Sequence, residues 1–421
     1  MQPWFLDAKL GIFIHYGIYA VNGISESWSF FNGQISHEDY MKQLDGFTAS
    51  AYDPEEWADL FARAGAQYAV LTTKHHDGVA LWDTKANDLS VVNKTPAGRD
   101  LVTPFVEALR KHGLRVGLYY SHLDWSHPDY PTLRKVEDGT KDLNPFAGPP
   151  AGHEDPERWA NFLKFHRAQL EELCTQFGKV DLHWFDGDWE REPEQFQMKE
   201  LRDQLHAWQP EVILNSRMLG YGDYATPEQG QPVVAPDGVW EFCVTINDSW
   251  GYQTQDHNHK PTREIVRMFA EVIGMGGNVL LDVGPFADGS LQPEQVQRLE
   301  ELGTWTHKHA EAIYGSVAGL PLGLHYGPST LSKDGQTLYL ILLDRPVEKV
   351  YVKGIRNNVK AVSVVGNGTA LKFTKPKMVE WTGVPGTLVI DVPEHELDTY
   401  ATVLKVELEG KIETMLGKGR D

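Results

Sequence analysis

From its start to about residue 315, the chain alternates short apolar runs with longer amphipathic stretches. The runs are almost continuously apolar, which is typical of parallel strands covered by helices on both faces. Several amphipathic stretches begin at Asp or Pro and end at Gly, as helices do. The apolar runs are KLGIFIHYG, QYAVLTTKHHDG, LRVGLYYS, KVDLHWFDG, EVILNSR, VWEFCVTI and GNVLLDVGP.

This order of strands and helices predicts an α/β fold for residues 1–316. We expect a (β/α)8-like barrel of the TIM type, either irregular or lacking a helix. A doubly wound sheet is the alternative, but that fold usually has a glycine-rich phosphate-binding turn after its first strand. Here the first strand ends on His15 and Tyr16 instead.

After Gly315 the hydrophobic pattern changes. The segments become short, half-alternating and rich in β-branched residues, with turns between them. This pattern predicts a small antiparallel β-sandwich over residues 317–421. The segments are TLYLILLD, KVYVKGI, KAVSVVG, TALKF, TLVIDV and TVLKVEL.

Composition excludes several classes of partner. A formal net charge of −20 argues against nucleic acid, because phosphate binding needs a basic surface. Cys174 and Cys243 are the two cysteines, and they form neither a disulfide framework nor a CxxC metal motif. No signal peptide or membrane span can be identified. We expect a cytoplasmic protein as the sequence stands, or a secreted or periplasmic one if a signal was removed.

Polar residues stand at the ends of five predicted strands. In a barrel the carboxyl ends of the strands converge on one mouth, where such enzymes place their chemistry. One histidine at a strand end is more often structural, but five such ends together predict an active site. The residues are His15 and Tyr16; Lys74, His75, His76 and Asp77; Tyr119, Tyr120 and Ser121; Asp186; and Asn215, Ser216 and Arg217.

The histidines do not indicate a metal site. Adjacent histidines on one strand point to opposite faces, so His75 and His76 cannot both face inward without a break in the strand. The H-x-H and H-E-x-x-H spacings are absent, and so are the G-x-S-x-G, P-loop and Rossmann motifs. We expect neither a metal nor a cofactor.

A pair of carboxylates is the remaining chemistry, and it suits glycoside hydrolysis, which needs two acids across the anomeric carbon. Asp186 is the first candidate, and Asp188 is its local rival. The second acid is either Glu228, in the loop GDYATPEQG, or Glu241, which opens the strand VWEFCVTI. Glu241 lies at the opposite end of the barrel, so position favours Glu228.

The combination of motifs resembles glycoside hydrolase family 29, the α-L-fucosidases. The resemblance covers the predicted barrel in order, through LGIFIHYG, TTKHHDG, GLYYS, WFDG, SWGY and GGNVLLDVGP. It implies a retaining two-step mechanism without metal or cofactor, and a β-sandwich after the barrel. It assigns Asp186 as the nucleophile and, through the T-x-E pattern, Glu228 as the acid/base, with Glu241 as the runner-up.

The resemblance also implies a set of sugar-binding residues. Trp250 matches an aromatic residue near the C5 methyl group of fucose. Many family members place Glu directly before the Trp of the second loop. Here the sequence is ESW, with Ser27 between Glu26 and Trp28, which leaves the role of Glu26 open. The implied binding residues are His15, Trp28, His75, His76, Tyr120, Trp184, Arg217 and Trp250.

The predicted function is therefore that of a retaining exo-α-L-fucosidase acting on fucosylated oligosaccharides or glycoconjugates. A non-catalytic fucose-binding protein and an α-L-galactoside hydrolase of the same fold are the alternatives. We expect no nucleic acid or membrane partner, and a homo-oligomer is compatible with the sequence. The sandwich is expected to support the barrel, because its short loops show no cluster of aromatic residues.

Overall fold

The computed structural model describes residues 1–130, 155–376 and 383–417. Its largest sheet contains seven strands, all parallel to their neighbours. Each strand coincides with one of the predicted apolar runs, and nearly every residue in them is buried. The strands are β1 (Leu10–Ile14), β2 (Tyr68–Lys74), β3 (Arg115–Ser121), β4 (Leu182–Asp186), β5 (Ile213–Leu214), β6 (Glu241–Thr245) and β7 (Asn278–Val283).

The spatial order of the strands distinguishes the two predicted folds. The order is β5-β4-β3-β2-β1-β7-β6, which is sequential around a circle with one gap between β5 and β6. In that gap, Tyr224 forms a parallel bridge with Asn215, and Glu228 forms one with Cys243. This segment therefore serves as an irregular eighth strand, and the barrel prediction is confirmed over the doubly wound sheet.

The helices begin and end where the sequence indicates. Asp53 caps the helix Pro54–Ala64 by accepting from the backbone N–H groups of Glu55 and Glu56, and Gly65 ends it at a φ of +93°. Within the three described ranges, no helix is long and apolar enough to span a membrane. The α-helices are Pro3–Ala8, Trp28–Phe31, His37–Met41, Pro54–Ala64, Val91–Lys94, Val102–Lys111, Pro156–Thr175, Pro193–Phe196, Met198–Trp208, Thr262–Gly274, Pro293–Lys308 and Ala310–Ile313.

The C-terminal part consists of two antiparallel sheets, of five and three strands, around a separate apolar core. Their pairing confirms the predicted sandwich. The division at residues 316 and 317 stays a prediction. The strands are β8 (Val317–Ala318), β9 (Ser329–Leu331), β10 (Thr337–Leu342), β11 (Val350–Val352), β12 (Val359–Val364), β13 (Phe373–Thr374), β14 (Leu388–Ile390) and β15 (Thr402–Leu408).

The sandwich packs against the barrel helices through apolar side chains. Alternate residues of β10 pack into two different apolar cores. Leu340 packs inside the sandwich, and Ile341 packs into the large core formed by the barrel and its helices. The indole N–H of Trp305, on the helix Pro293–Lys308, donates to the carbonyl of Ala401 at 2.8 Å. The barrel helices and the sandwich therefore share one apolar core along this contact.

Candidate active site

Asp186 is the last residue of β4, at the carboxyl end of the barrel. Gly187 follows with a φ of +78°, and a Cβ atom there would lie 2.5 Å from Cγ of Leu123. Only glycine fits both the conformation and the space, so the strand ends sharply at this point. The result is a carboxylate held on a rigid strand, with 16 % of its side chain accessible.

Three side chains surround the carboxylate of Asp186. Nη1 of Arg217 donates to Oδ1 at 2.7 Å, and the hydroxyl group of Tyr119 donates to Oδ2 at 3.1 Å. Nε2 of His76 lies 3.7 Å from Oδ2. Burial raises the pKa of Asp186 above its usual value, while Arg217, the Gly187 N–H group and Tyr119 act in the opposite direction.

Arg217 connects the two candidate catalytic carboxylates. Its Nη1 binds Asp186, and its Nη2 donates to Oε2 of Glu228 at 2.6 Å. The guanidinium group lies 5.4 Å from the ring of Trp184, which forms the floor below it. Glu228 stands at the rim with 37 % of its side chain accessible. Contact with one guanidinium group keeps both carboxyl groups close together.

Glu241 lies one layer deeper in the barrel, below Trp184. It is fully buried at the start of β6, where it accepts from the indole N–H of Trp184 at 2.9 Å and from the hydroxyl group of Tyr68. Burial raises the pKa of Glu241 to about 7, and the hydrogen bonds from Tyr68, Trp184 and Tyr224 oppose that shift. The indole ring of Trp184 thus separates this acid from Arg217 and the mouth.

Each pocket histidine is oriented by a bond from one ring nitrogen. Nδ1 of His15 lies 2.6 Å from Oδ1 of Asp282. The same atom of His75 lies 2.7 Å from Oγ of Ser27, and that of His76 lies 2.6 Å from Oγ of Ser121. Burial lowers the pKa values of all three histidines well below normal, so they are neutral and offer Nε2 for binding.

His75 and His76 both reach the pocket because the strand has already ended. β2 stops at Lys74, and its pairing with β3 shifts register between Thr72 and Lys74. The ring of His75 lies parallel to that of Tyr119, with centroids 5.8 Å apart, and the two imidazole rings are 4.2 Å apart. This is the strand break that two inward-facing histidines require.

Trp250 forms an apolar wall beside His15. The centroids of these two rings are 4.9 Å apart, and Trp250 also contacts the edge of Phe13. Buried Glu26 accepts from the backbone N–H group of Gly251, so it anchors the loop that carries Trp250. Glu26 therefore holds this wall in place, which answers the question that the ESW sequence left open.

Comparison with known proteins identifies the family. The model of the α-L-fucosidase family matches residues 1–311, about three-quarters of the chain and nearly all of the barrel. The chain belongs to the α-L-fucosidase family, glycoside hydrolase family 29. The resemblance noted in the sequence is thereby confirmed.

Solved fucosidase structures match this fold over nearly its whole length. α-L-fucosidase isoenzyme 1 from Paenibacillus thiaminolyticus is 34% identical, with a TM-score of 0.86 over 96% of this chain and 98% of that chain. A GH29 α-L-fucosidase from Bacteroides thetaiotaomicron, trapped as a covalent intermediate with 2-fluoro-fucosyl fluoride, is 25% identical, with a TM-score of 0.83 over 97% of this chain and 96% of that chain.

A curated relative belongs to the same family. Human tissue α-L-fucosidase is 32% identical over an alignment of 380 positions, and this alignment covers 82% of this chain and 76% of the human protein.

The structure brings most of the expected fucosidase residues together. Trp28 packs edge to face on His76, with centroids 5.5 Å apart. Asp188, the rival of Asp186, is partly buried and accepts from the backbone of Leu219. The other expected residues found around Asp186 are His15, His75, His76, Trp184, Arg217, Glu228 and Trp250.

Tyr120 is the exception and has to be corrected. Its hydroxyl group donates to Oε1 of Gln169 at 2.9 Å, and Nζ of Lys74 lies 4.3 Å from its ring. Successive side chains of a strand point to opposite faces, so Tyr120 faces the helix layer when Tyr119 faces the barrel interior. Tyr119, not Tyr120, contacts Asp186 in this fucosidase.

Sequence reasoning missed two positioning residues, Asp282 and Ser27, and it named Tyr119 only as one of the polar residues at the end of a strand. Tyr119 pairs with Trp184 in the sheet, and that register puts both on the inner face. Asp282 and Ser27 each orient a pocket histidine. Asp282 belongs to the motif GGNVLLDVGP, so its position at the end of a strand was a usable signal. In the described residues of this fucosidase, no group of three or more His, Cys, Asp or Glu side chains is arranged to hold a metal ion.

Proposed function

We propose that the protein is a retaining exo-α-L-fucosidase that releases terminal α-L-fucose from fucosylated oligosaccharides or glycoconjugates. The observation that carries this proposal is the contact of one guanidinium group, that of Arg217, with both Asp186 and Glu228. Retaining glycosidases need two carboxyl groups about 5–5.5 Å apart, closer than inverting enzymes do. A shared guanidinium group favours the closer spacing.

In the first step, Asp186 attacks the anomeric carbon and forms a covalent fucosyl-enzyme. The bond between that carbon and the leaving-group oxygen breaks, and Glu228 gives its proton to this oxygen. In the second step, Glu228 takes a proton from water, and the water oxygen displaces the Asp186 carboxylate from the sugar. Two inversions at one carbon retain the α configuration.

Arg217 balances charge through both steps. Before attack, it stabilises the ionised Asp186, whose oxygen it contacts at 2.7 Å. When Asp186 becomes an ester it loses its charge, and at that stage Glu228 has become a carboxylate. Arg217 then has Glu228 as its counter-ion, so the pocket keeps one positive and one negative group throughout.

The walls of the pocket suit a deoxy sugar. The Nε2 atoms of His15, His75 and His76 supply hydrogen-bonding groups for the hydroxyls, because the Nδ1 atoms already have partners. Trp250 offers the methyl group of fucose an apolar surface. An α-L-galactoside would bring a hydroxyl group against this indole ring without a partner, which disfavours that alternative.

The test separates the two candidate acids by their dependence on the leaving group. Glu228→Gln is expected to lose activity on a fucosyl disaccharide by about a hundredfold or more. Its loss on 2,4-dinitrophenyl α-L-fucoside should be much smaller, because that leaving group needs no proton. Azide should restore turnover and give α-L-fucosyl azide.

Glu241→Gln is the matched control for this test. Since Glu241 lies below Trp184, any loss should be the same for both substrates. If Glu241→Gln shows the leaving-group dependence and Glu228→Gln does not, the assignment of Glu228 is wrong. A retained configuration of the hydrolysis product, followed by NMR, checks the double displacement itself.

A further inference from the structure

Trp189 is a large aromatic side chain left open to solvent beside the proposed nucleophile. It lies in the loop after β4, three residues beyond Asp186, and 46% of its surface is exposed. Every other tryptophan in the described part of the chain is buried or half-buried. Tryptophan combines a large apolar ring face with a polar N–H group, and it is enriched at binding interfaces.

The ring of Trp189 is held in a fixed orientation. One face stacks on Trp28, with centroids 5.8 Å apart and an angle of 24° between the planes. Trp28 is in turn packed edge to face by Trp125 and Phe31. Because one face is covered by this cluster, the opposite face of Trp189 carries the exposed area.

The imidazole ring of His76 lies between Trp189 and the carboxylate of Asp186. Trp189 and His76 meet at an angle of 87°, with centroids 5.5 Å apart. Nε2 of His76 lies 3.7 Å from Oδ2 of Asp186 and has no hydrogen-bond partner, although the side chain is fully buried. A buried ring nitrogen without a protein partner can hydrogen-bond a hydroxyl group of a ligand.

Trp189 and Trp250 occupy the two ends of a row of rings. The row runs from Trp250 through His15, His75 and His76 to Trp189, with centroid distances of 4.9, 6.0, 4.2 and 5.5 Å. The Trp250 end is assigned to the methyl group of fucose. The Trp189 end adjoins the nucleophile and therefore lies near the anomeric carbon, whose bond to the leaving group breaks on the face that Glu228 serves.

We propose that the exposed face of Trp189 is a platform on which the leaving-group sugar stacks. This inference rests on the proposed function, since it takes Asp186 as the nucleophile. The ligand is a neutral pyranose linked to fucose, and its apolar C–H face lies on the indole ring. Trp28 supports the platform from behind, and His76 separates it from Asp186.

The test compares two substrates that differ in the leaving group. α-L-fucosyl fluoride has no sugar in its leaving group. Disaccharides in which fucose is linked to galactose or to N-acetylglucosamine have a leaving-group sugar that can stack on Trp189. For the better of the two disaccharides, Trp189→Ala should lower kcat/KM by about tenfold more than it does for the fluoride. Trp189→Phe, which keeps a flat ring, should recover most of this difference.

Tyr326→Ala serves as the control, because it removes an aromatic ring that is 83% exposed on the sandwich. Its ratio of disaccharide to fluoride activity should equal that of the wild type. Equal losses on both substrates in Trp189→Ala would overturn the platform, and so would no loss on either. Wild-type protein that hydrolyses the fluoride but neither disaccharide would also overturn it.

A failure of the proposed function would look different. Asp186→Gly is expected to be inactive on the fluoride. If that variant still hydrolyses it, Asp186 is not the nucleophile, whatever ratio Trp189→Ala shows.

Discussion

At the scale of single residues, the pocket depends on Arg217, whose guanidinium group contacts both Asp186 and Glu228. Burial lowers the pKa of Arg217, but Asp186 and Glu228 raise it by more, so it stays charged. Tyr119 adds a hydrogen bond to the same carboxylate that Arg217 contacts. Without these two groups, Asp186 would be a buried acid that takes up a proton more readily.

Replacing Arg217 should therefore change the pH profile as well as the rate. In Arg217→Met the pKa of Asp186 rises, because the positive charge that favours its ionised form is lost. The acidic limb of kcat/KM for an aryl α-L-fucoside should move upward by about 1 pH unit or more.

Arg115→Met removes the same charge at the opposite end of the barrel, where Arg115 contacts Asp181 at 3.2 Å. Its acidic limb should match that of the wild type. An acidic limb that stays in place or moves downward in Arg217→Met would contradict the role given to Arg217.

At the scale of elements, the sequence predicted the regular strands and missed the irregular one. β1 to β7 are continuous apolar runs because both faces are buried. The segment with Tyr224 and Glu228 is held by isolated bridges and contains Pro227, so it has no strand pattern. Tyr119 and Tyr120 could not be told apart without the register of β3 against β4, which alone decides which ring faces inward.

Glu241, in an inner layer of the barrel, makes the stability of the folded protein depend on pH. The pKa of Glu241 is raised from 4.5 to about 7 in the folded protein, so the folded state binds its proton more tightly than the unfolded chain does. The free energy of unfolding should therefore decrease as the pH rises from about 4.5 to 7, and this group should add no further change above that range.

Glu241→Gln should remove this dependence. The variant and the wild type are expected to have similar unfolding free energies near pH 4.5, where Glu241 is neutral. At pH 8 the variant should gain up to about 3 kcal/mol relative to the wild type. Urea denaturation across this pH range measures the difference, and a difference that does not change with pH would show that Glu241 is not the buried acid responsible.

At the scale of the whole molecule, the sandwich packs against the outer helices of the barrel and shares their apolar core. Ile341 of β10 is fully buried in the core that continues into the barrel, and Tyr339 and Leu343 of the same segment join it. The sandwich therefore stabilises the scaffold that holds the pocket. The regular turns and strands of this part were predictable, but its contact with the barrel required the three-dimensional structure.

Truncating Ile341 should destabilise the active barrel. Ile341→Ala is expected to lower the free energy of unfolding by about 2–5 kcal/mol and the temperature at which activity is lost. Leu340→Ala is the matched control, because this neighbour packs inside the sandwich. If Ile341→Ala leaves the temperature at which activity is lost unchanged while Leu340→Ala lowers that temperature, the shared core does not support the barrel.

The central claim is that Asp186 forms the covalent fucosyl-enzyme, and azide rescue tests it most directly. The assay compares wild type, Asp186→Gly and Asp188→Asn on 4-nitrophenyl α-L-fucoside, with and without azide. Asp186→Gly should lose nearly all activity, and azide should restore turnover and yield β-L-fucosyl azide by a single inversion. If Asp186→Gly keeps most of its activity while Asp188→Asn loses it, Asp188 is the nucleophile and the account of the pocket is wrong.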